Sequence, residues 1–268
     1  MQSQQNGRVG NVKTHKPCFD NLLKVLRREP TDRPVLFEFF LNGRLHRALV
    51  GDRAETDGTP RGHTRATMAA FAAAGYDYGL FAGGWLFEFG RKDRAHELTC
   101  SLNDAAIITD RKSFDAFQWP DLEATDFSVL KDLDSDLPSG MKLMIFTPDG
   151  LLENVIGLVG YDNLCMLLHD DRGLVGDVFE RVGETLLIFY RRALAYRSVG
   201  MAMVNDDWGF KTQPMISPAD MRKYVFPWHR RIVEAAHKAG RPAILHSCGQ
   251  LESLMDGIID DLKFDAKH

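Results

Sequence analysis

Cysteine is scarce in this chain, and the four that occur, Cys18, Cys100, Cys165 and Cys248, stand far apart among 268 residues. That spacing matches no disulfide framework, so reduced thiols are the expectation. No run approaches the roughly 18 uninterrupted apolar residues of a spanning helix, and no charged start leads into an apolar block as in a signal peptide. A membrane is therefore not an expected partner, and the chain reads as cytoplasmic. Blocks of like charge are missing too. Lys and Arg are scattered, the net charge is −4 and the pI is near 6.1, which argues against nucleic acid as a partner. Apolar material is abundant instead: 44% of residues are hydrophobic and 10% aromatic, enough for one sizeable core at a length common among α/β barrels.

Residues 1–16 are polar and without periodicity, which predicts a tail ahead of one barrel domain over 17–268. Phe19 to Arg28 has helical spacing and stops before Pro30 and Pro34. Pro34 to Phe40 reads as a first strand. Gly62 to Gly75 reads as a helix closed by glycine, and Tyr76 to Leu86 as a second strand. The pattern loosens around 88–140, an insertion with one or two short helices near Ser113 to Phe117. Lys142 to Phe146 is strand-like and turns into a helix over Leu151 to Leu158. A helical hairpin follows, ending in a long helix from about Val175 to Val199, and Met201 to Val204 is the next strand. Ser217-Pro218-Ala219-Asp220 is a strong helix start, Pro227 should kink or split that helix, and it ends at Gly240. Pro242 to Leu245 is uniformly apolar and short, as a strand buried on both faces reads. Leu251 to Ile259 is a further helix and Leu262 to Ala266 a last strand-like piece. Strand and helix alternate, and polar residues gather where strands finish. The expected fold is therefore α/β, a TIM-type (β/α)8 barrel shortened to about six βα units. An unclosed barrel exposes strand edges, which makes a homodimer an expected compensation.

The chemistry concentrates after the strand Pro242–Leu245. His246 and Cys248 are two apart, so an extended backbone puts both on one side, and imidazole nitrogen and thiolate sulfur are zinc ligands. Their other reading is a buried cysteine beside a backbone-bonded histidine. Asp206 and Asp207 follow another strand end, where one of them can contact substrate or orient His246; alternatively Asp206 caps a turn and Asp207 bonds loop backbone. Glu153, in the first turn of its helix, is a candidate acid or further ligand, or a solvated residue favoured by the helix dipole. Gly83 and Gly84 form a turn that lets a ligand approach. Trp85 and Trp208 are candidate pocket walls, although an aromatic at a strand end is as often core. Cys165 and His169 have a clamping spacing on a helix but lack a third partner. His15, His46, His63, His96 and His229 show no ligand spacing and read as surface or structural.

Several stretches carry a resemblance: Asn205-Asp206-Asp207-Trp208-Gly209, Ile216-Ser217-Pro218, Phe226-Pro227-Trp228 with Arg230-Arg231-Ile232, His237 to Gly240, and Ile244-Leu245-His246-Ser247-Cys248-Gly249. Together they resemble the uroporphyrinogen decarboxylase superfamily, from about Phe19 onward and most specifically between Val204 and Gly249. The resemblance implies a (β/α)8 barrel. Members continue for two further βα units, so the chain reads as a shortened one. True decarboxylases of the family use an arginine-rich segment after the first strand and an aspartate after the second. Here the first strand leads to Asn42-Gly43-Arg44 with Arg47 nearby, and the second to Phe81-Ala82-Gly83-Gly84 with no aspartate. Arg44 remains the candidate substrate contact if the chain is such a lyase acting on a tetrapyrrole. The corrinoid-dependent methyltransferase branch has a zinc motif His-X-Cys followed much later by a second cysteine. His246 and Cys248 match its first half. This branch implies zinc, a corrinoid carried by a partner protein and a small-molecule thiol or methyl donor. A third reading is an incomplete barrel that binds without catalysing.

Overall fold

The computed structural model describes residues 16–54, 56–84, 86–87, 102–103 and 106–268. These divide into two compact units, a smaller one built from the chain up to Leu80 together with Asp136–Lys142, and a larger one of Phe81–Ser135 and Leu143–His268.

The smaller unit holds α1 (Phe19–Leu26), α2 (Gly43–Val50), α3 (Pro60–Ala74) and most of β1 (Tyr78–Ala82). The end signals of α3 act as the sequence predicts. Thr59 accepts from the Gly62 amide at 3.0 Å, Pro60 occupies the first turn, and Gly75 closes the helix at φ 98°. Met68, Ala70, Phe71 and Tyr78 form the buried centre. Asp77 has no exposed side-chain surface; it pairs with Arg33 and accepts from the Cys18 amide at 2.7 Å. The expected strand over Pro34–Phe40 does not form. The Glu38 amide donates to the Tyr78 hydroxyl at 2.7 Å, that hydroxyl donates back to the Glu38 carbonyl, and the Phe39 amide donates to the carboxylate of Glu38. Side chains have taken the backbone groups a ladder would need.

In the larger unit Phe81 and Ala82 end β1, and β2 (Lys142–Phe146), β3 (Val199–Asn205), β4 (Ala243–His246) and β5 (Ala266–Lys267) continue the sheet in the order β1-β2-β3-β4-β5. The pairings β2–β3, β3–β4 and β4–β5 are parallel. Among the described residues there are five strands rather than about six. Every residue of β3 is buried, as expected of a strand covered on both faces. The connecting helices are α4 (Arg111–Ala116), α5 (Val129–Asp136), α6 (Leu151–Val159), α7 (Tyr161–Asp170), α8 (Arg172–Leu194), α9 (Pro218–Asp220) and α10 (Phe226–Lys238). Along α8, Leu174, Val178, Val182, Leu186, Phe189 and Ala193 are buried at helical spacing. A Cβ on Gly183 would lie 2.1 Å from the Trp228 ring, so glycine there lets α8 and α10 pack closely. The break expected at Pro227 comes one turn early, as a π turn over Met221–Val225. The helix expected from Leu251 is a 3-10 turn (Glu252–Leu254) and a π turn (Gly257–Leu262). None of the helices alone is long and apolar enough to cross a membrane, among the described residues.

Candidate metal centre

The parallel register of β3 and β4 sets Asn205 beside His246, so the two strands finish level and their following loops run together. The ladder continues past the strands. The Asp206 amide donates to the His246 carbonyl at 3.0 Å, Trp208 N–H to Ser247 Oγ at 3.1 Å, Cys248 N–H to Asp207 Oδ1 at 2.7 Å and Gln250 N–H to the Phe210 carbonyl at 2.8 Å. Where the loops touch, both residues are glycine: a Cβ on Gly249, whose φ is +84°, would lie 2.1 Å from the Gly209 carbonyl oxygen.

This stitching gathers three donors of different chemistry. One atom each from the Asp207 carboxylate, the His246 imidazole and the Cys248 thiol lie within 4.8 Å of one another. His246 Nε2 is 3.7 Å from Asp207 Oδ1 and 3.7 Å from Cys248 Sγ. Cys248 is exposed, and His246 and Asp207 are partly so, which leaves the cluster open to solvent. Partial burial, followed by the charge of Asp207, pushes the Cys248 thiol pKa above its usual value. Among the described residues this is the one group of three metal-competent side chains so assembled. The sequence predicted two of its members as ligands; the third, Asp207, is supplied by the neighbouring strand end.

Asp206, adjacent in sequence, turns the other way and has no exposed surface. Its Oδ1 accepts from the Leu152 and Glu153 amides at 2.9 and 3.2 Å, capping α6 from outside that helix, and its Oδ2 accepts from the Trp208 indole at 2.7 Å. His229 Nε2 lies 3.2 Å from the same Oδ2, at ion-pair distance without hydrogen-bond alignment. The expectation that Asp206 contacts substrate or orients His246 is therefore corrected, because every reach of its carboxylate is into the interior. Of the two readings of Trp208, pocket wall or core, the second holds: it is fully buried, against Phe226 and His229.

Glu153 sits in the first turn of α6 and folds back on it. One carboxylate oxygen accepts from the Gly150 amide at 3.0 Å and faces Asn205 Nδ2 at 3.4 Å. Burial, and then the charge of Asp206, pushes its pKa up to about 8, so the carboxyl is mostly protonated at neutral pH. Asp207 contributes to that shift, and Glu153 in turn raises Cys248. Gly83 is a packing glycine rather than a ligand approach: its amide donates to the Phe146 carbonyl at 2.8 Å, and a Cβ would meet Phe189 at 2.3 Å. Gly84 has φ +75° and open space around it. Trp85 lies outside the described residues. Arg44 is exposed on α2 of the smaller unit. Cys165 and His169 are exposed along α7, beside a cleft that Arg172, Met215 and Ser217 also line.

Of the two readings offered for His229, surface or structural, the second holds: it is wholly buried against Asp206. One residue escaped the sequence reading. His268 follows the two-residue strand β5, and its Nδ1 lies 2.9 Å from His246 Nδ1; nothing in the local sequence marks it.

Residues 145–267 match the family described as uroporphyrinogen decarboxylase (URO-D). No curated protein matches the chain. Among solved structures, a methyltransferase from Methanosarcina mazei superposes with a TM-score of 0.62 at 14% sequence identity, over 92% of this chain and 74% of that one. Identity that low speaks for the fold, a partial (β/α) barrel, and not for the reaction.

Proposed function

We propose that this chain, whose residues 145–267 match the uroporphyrinogen decarboxylase family, is a methyltransferase-type enzyme of that superfamily whose Asp207, His246 and Cys248 hold a zinc ion. Zinc bound there would keep a substrate thiol as thiolate near neutral pH, ready to take a methyl group from a corrinoid on a partner protein. The donor set fits the metal. Nitrogen, sulfur and carboxylate oxygen are its usual ligands, three protein donors leave a position open, and all three ligand atoms lie within 4.8 Å of one another. That convergence at paired strand ends is the observation carrying the proposal.

The chain's own residues would divide the work simply. His246 offers Nε2, Cys248 its sulfur after losing the proton, and Asp207 one oxygen, while the Cys248 amide already fixes the Asp207 carboxylate at 2.7 Å. Buried Asp206 holds the corner from beneath and leaves the open side to substrate. The test is elemental analysis of the purified protein. About one equivalent of zinc in the wild type, lost in Cys248→Ala and His246→Ala and reduced in Asp207→Ala, is the expected outcome; no metal in the wild type overturns the proposal.

A second reading has its own observation. A carboxyl neutral at pH 7, such as Glu153, suits a lyase, because a carbon that loses CO2 must gain a proton. Uroporphyrinogen turnover that persists with chelator and disappears in Glu153→Gln would select the lyase; turnover absent under both conditions removes it.

A further inference from the structure

We infer that Ser247 is a positioning residue for Asp207: its hydroxyl oxygen holds the peptide group that follows this aspartate, and so sets where the carboxylate stands against His246 and Cys248. The purpose rests on the metal reading; the geometry does not. Between β3 and β4 the ladder runs regularly, from the Ala202 amide on the Pro242 carbonyl at 3.0 Å to the Asp206 amide on the His246 carbonyl at 3.0 Å. A parallel ladder carried on for two more bonds would put the Cys248 amide on the Asp206 carbonyl and the Trp208 amide on the Cys248 carbonyl. Different bonds form instead. The Cys248 amide donates to Asp207 Oδ1 at 2.7 Å, and the Trp208 amide to Ser247 Oγ at 3.1 Å. At both steps a side-chain oxygen replaces a main-chain carbonyl, and the replacement falls where the three ligand atoms meet.

Alternation suits Ser247 to this role. It lies between two ligands, and it is buried where Cys248 is exposed and His246 partly so. A peptide group is planar, so the bond that holds the Trp208 N–H also orients the Asp207 carbonyl and the backbone torsion between that carbonyl and the Asp207 Cα. One residue before Asp207, the Asp206 amide is held by the His246 carbonyl. Asp207 therefore stands between two backbone anchors, both at the end of β4, with its carboxylate on the Cys248 amide between them. Removing the Ser247 oxygen releases the second anchor, and the Trp208 N–H is left in the interior without its acceptor.

A double-mutant cycle tests the inference. Cobalt(II) is titrated into the wild type, Ser247→Ala, Asp207→Ala and the double variant, with thiolate absorption as the signal. Ser247→Ala should weaken binding by about 10-fold in the wild-type background, as the loss of a residue that holds a ligand does, and should change it little in the Asp207→Ala background. Equal weakening in both backgrounds means that Ser247 only ties the loops together and overturns the inference, as does an affinity of Ser247→Ala equal to wild type; both leave the metal site standing. If the wild type takes no metal, the metal reading fails, and amide hydrogen exchange of the metal-free protein decides the rest. Faster exchange at Cys248 in Ser247→Ala, with Leu245 unchanged, supports the positioning role; unchanged exchange at Cys248 overturns it.

Discussion

Two stretches of this chain look alike as strings of residues and end differently. Pro34–Phe40 and Pro242–His246 are both short apolar runs opened by proline and closed near polar residues. The second is strand β4, paired on both sides, and it delivers His246 and Cys248 to an open corner. The first forms no strand, with Leu36 and Phe40 exposed and the backbone of Glu38 held by the Tyr78 hydroxyl. Apolar content makes a strand available; neighbouring ladder partners decide whether it is used. Only the paired run can place a side chain to within an ångström, because its register is shared with a neighbour.

The comparison is best broken from below the paired corner. Asp206→Ala removes the outside cap of α6 and the partner of the Trp208 indole, and leaves His229 facing an empty space. Loss of about 3–5 kcal/mol is expected, read as a large fall in midpoint in urea denaturation. Asp207→Asn, one residue along, should change stability by no more than about 0.5 kcal/mol while weakening metal binding. If the two substitutions destabilise alike, the division between them is wrong.

Gly249→Ala comes next. The new methyl meets the Gly209 carbonyl and the backbone sits at positive φ, so about 1–3 kcal/mol should be lost, with the loops pushed apart and metal affinity falling alongside. Retained affinity would mean that the loops are not held as one. Tyr78→Phe sharpens the other side. Releasing the Glu38 backbone groups should cost about 1–3 kcal/mol and leave metal content unchanged. The smallest effect belongs to Arg61→Ala. Arg61 holds the Asp136 carboxylate at 2.7 Å and keeps its pKa below the usual range. A depressed carboxylate pKa stabilises above the unfolded value and loses that effect as pH falls through the folded one. The variant should therefore be weaker by up to about 1 kcal/mol at pH 7, with the difference vanishing as pH drops from about 4 toward the folded value.

The sequence made strands Lys142–Phe146 and Pro242–Leu245 legible to within a residue or two, because uniformly apolar runs between turn signals have few alternatives. It showed His246 and Cys248 as a pair because period-two spacing is local. It did not show Asp207 as their third partner, since that depends on the offset between β3 and β4. Trp208 read equally as pocket wall or core, because an aromatic at a strand end fits either; its indole N–H gives buried Asp206 the donor it needs. His268 was invisible for a plainer reason: a two-residue strand has no pattern, and its position comes entirely from β4.

The contact between Gly209 and Gly249 has a consequence for anyone who would transplant this corner. Each loop fills the space that the other's missing side chain leaves. Grafting the His246–Cys248 segment alone onto another barrel would import two ligands without the surface that aims them. The transferable module is the pair of loops, cut after β3 and after β4 and moved together.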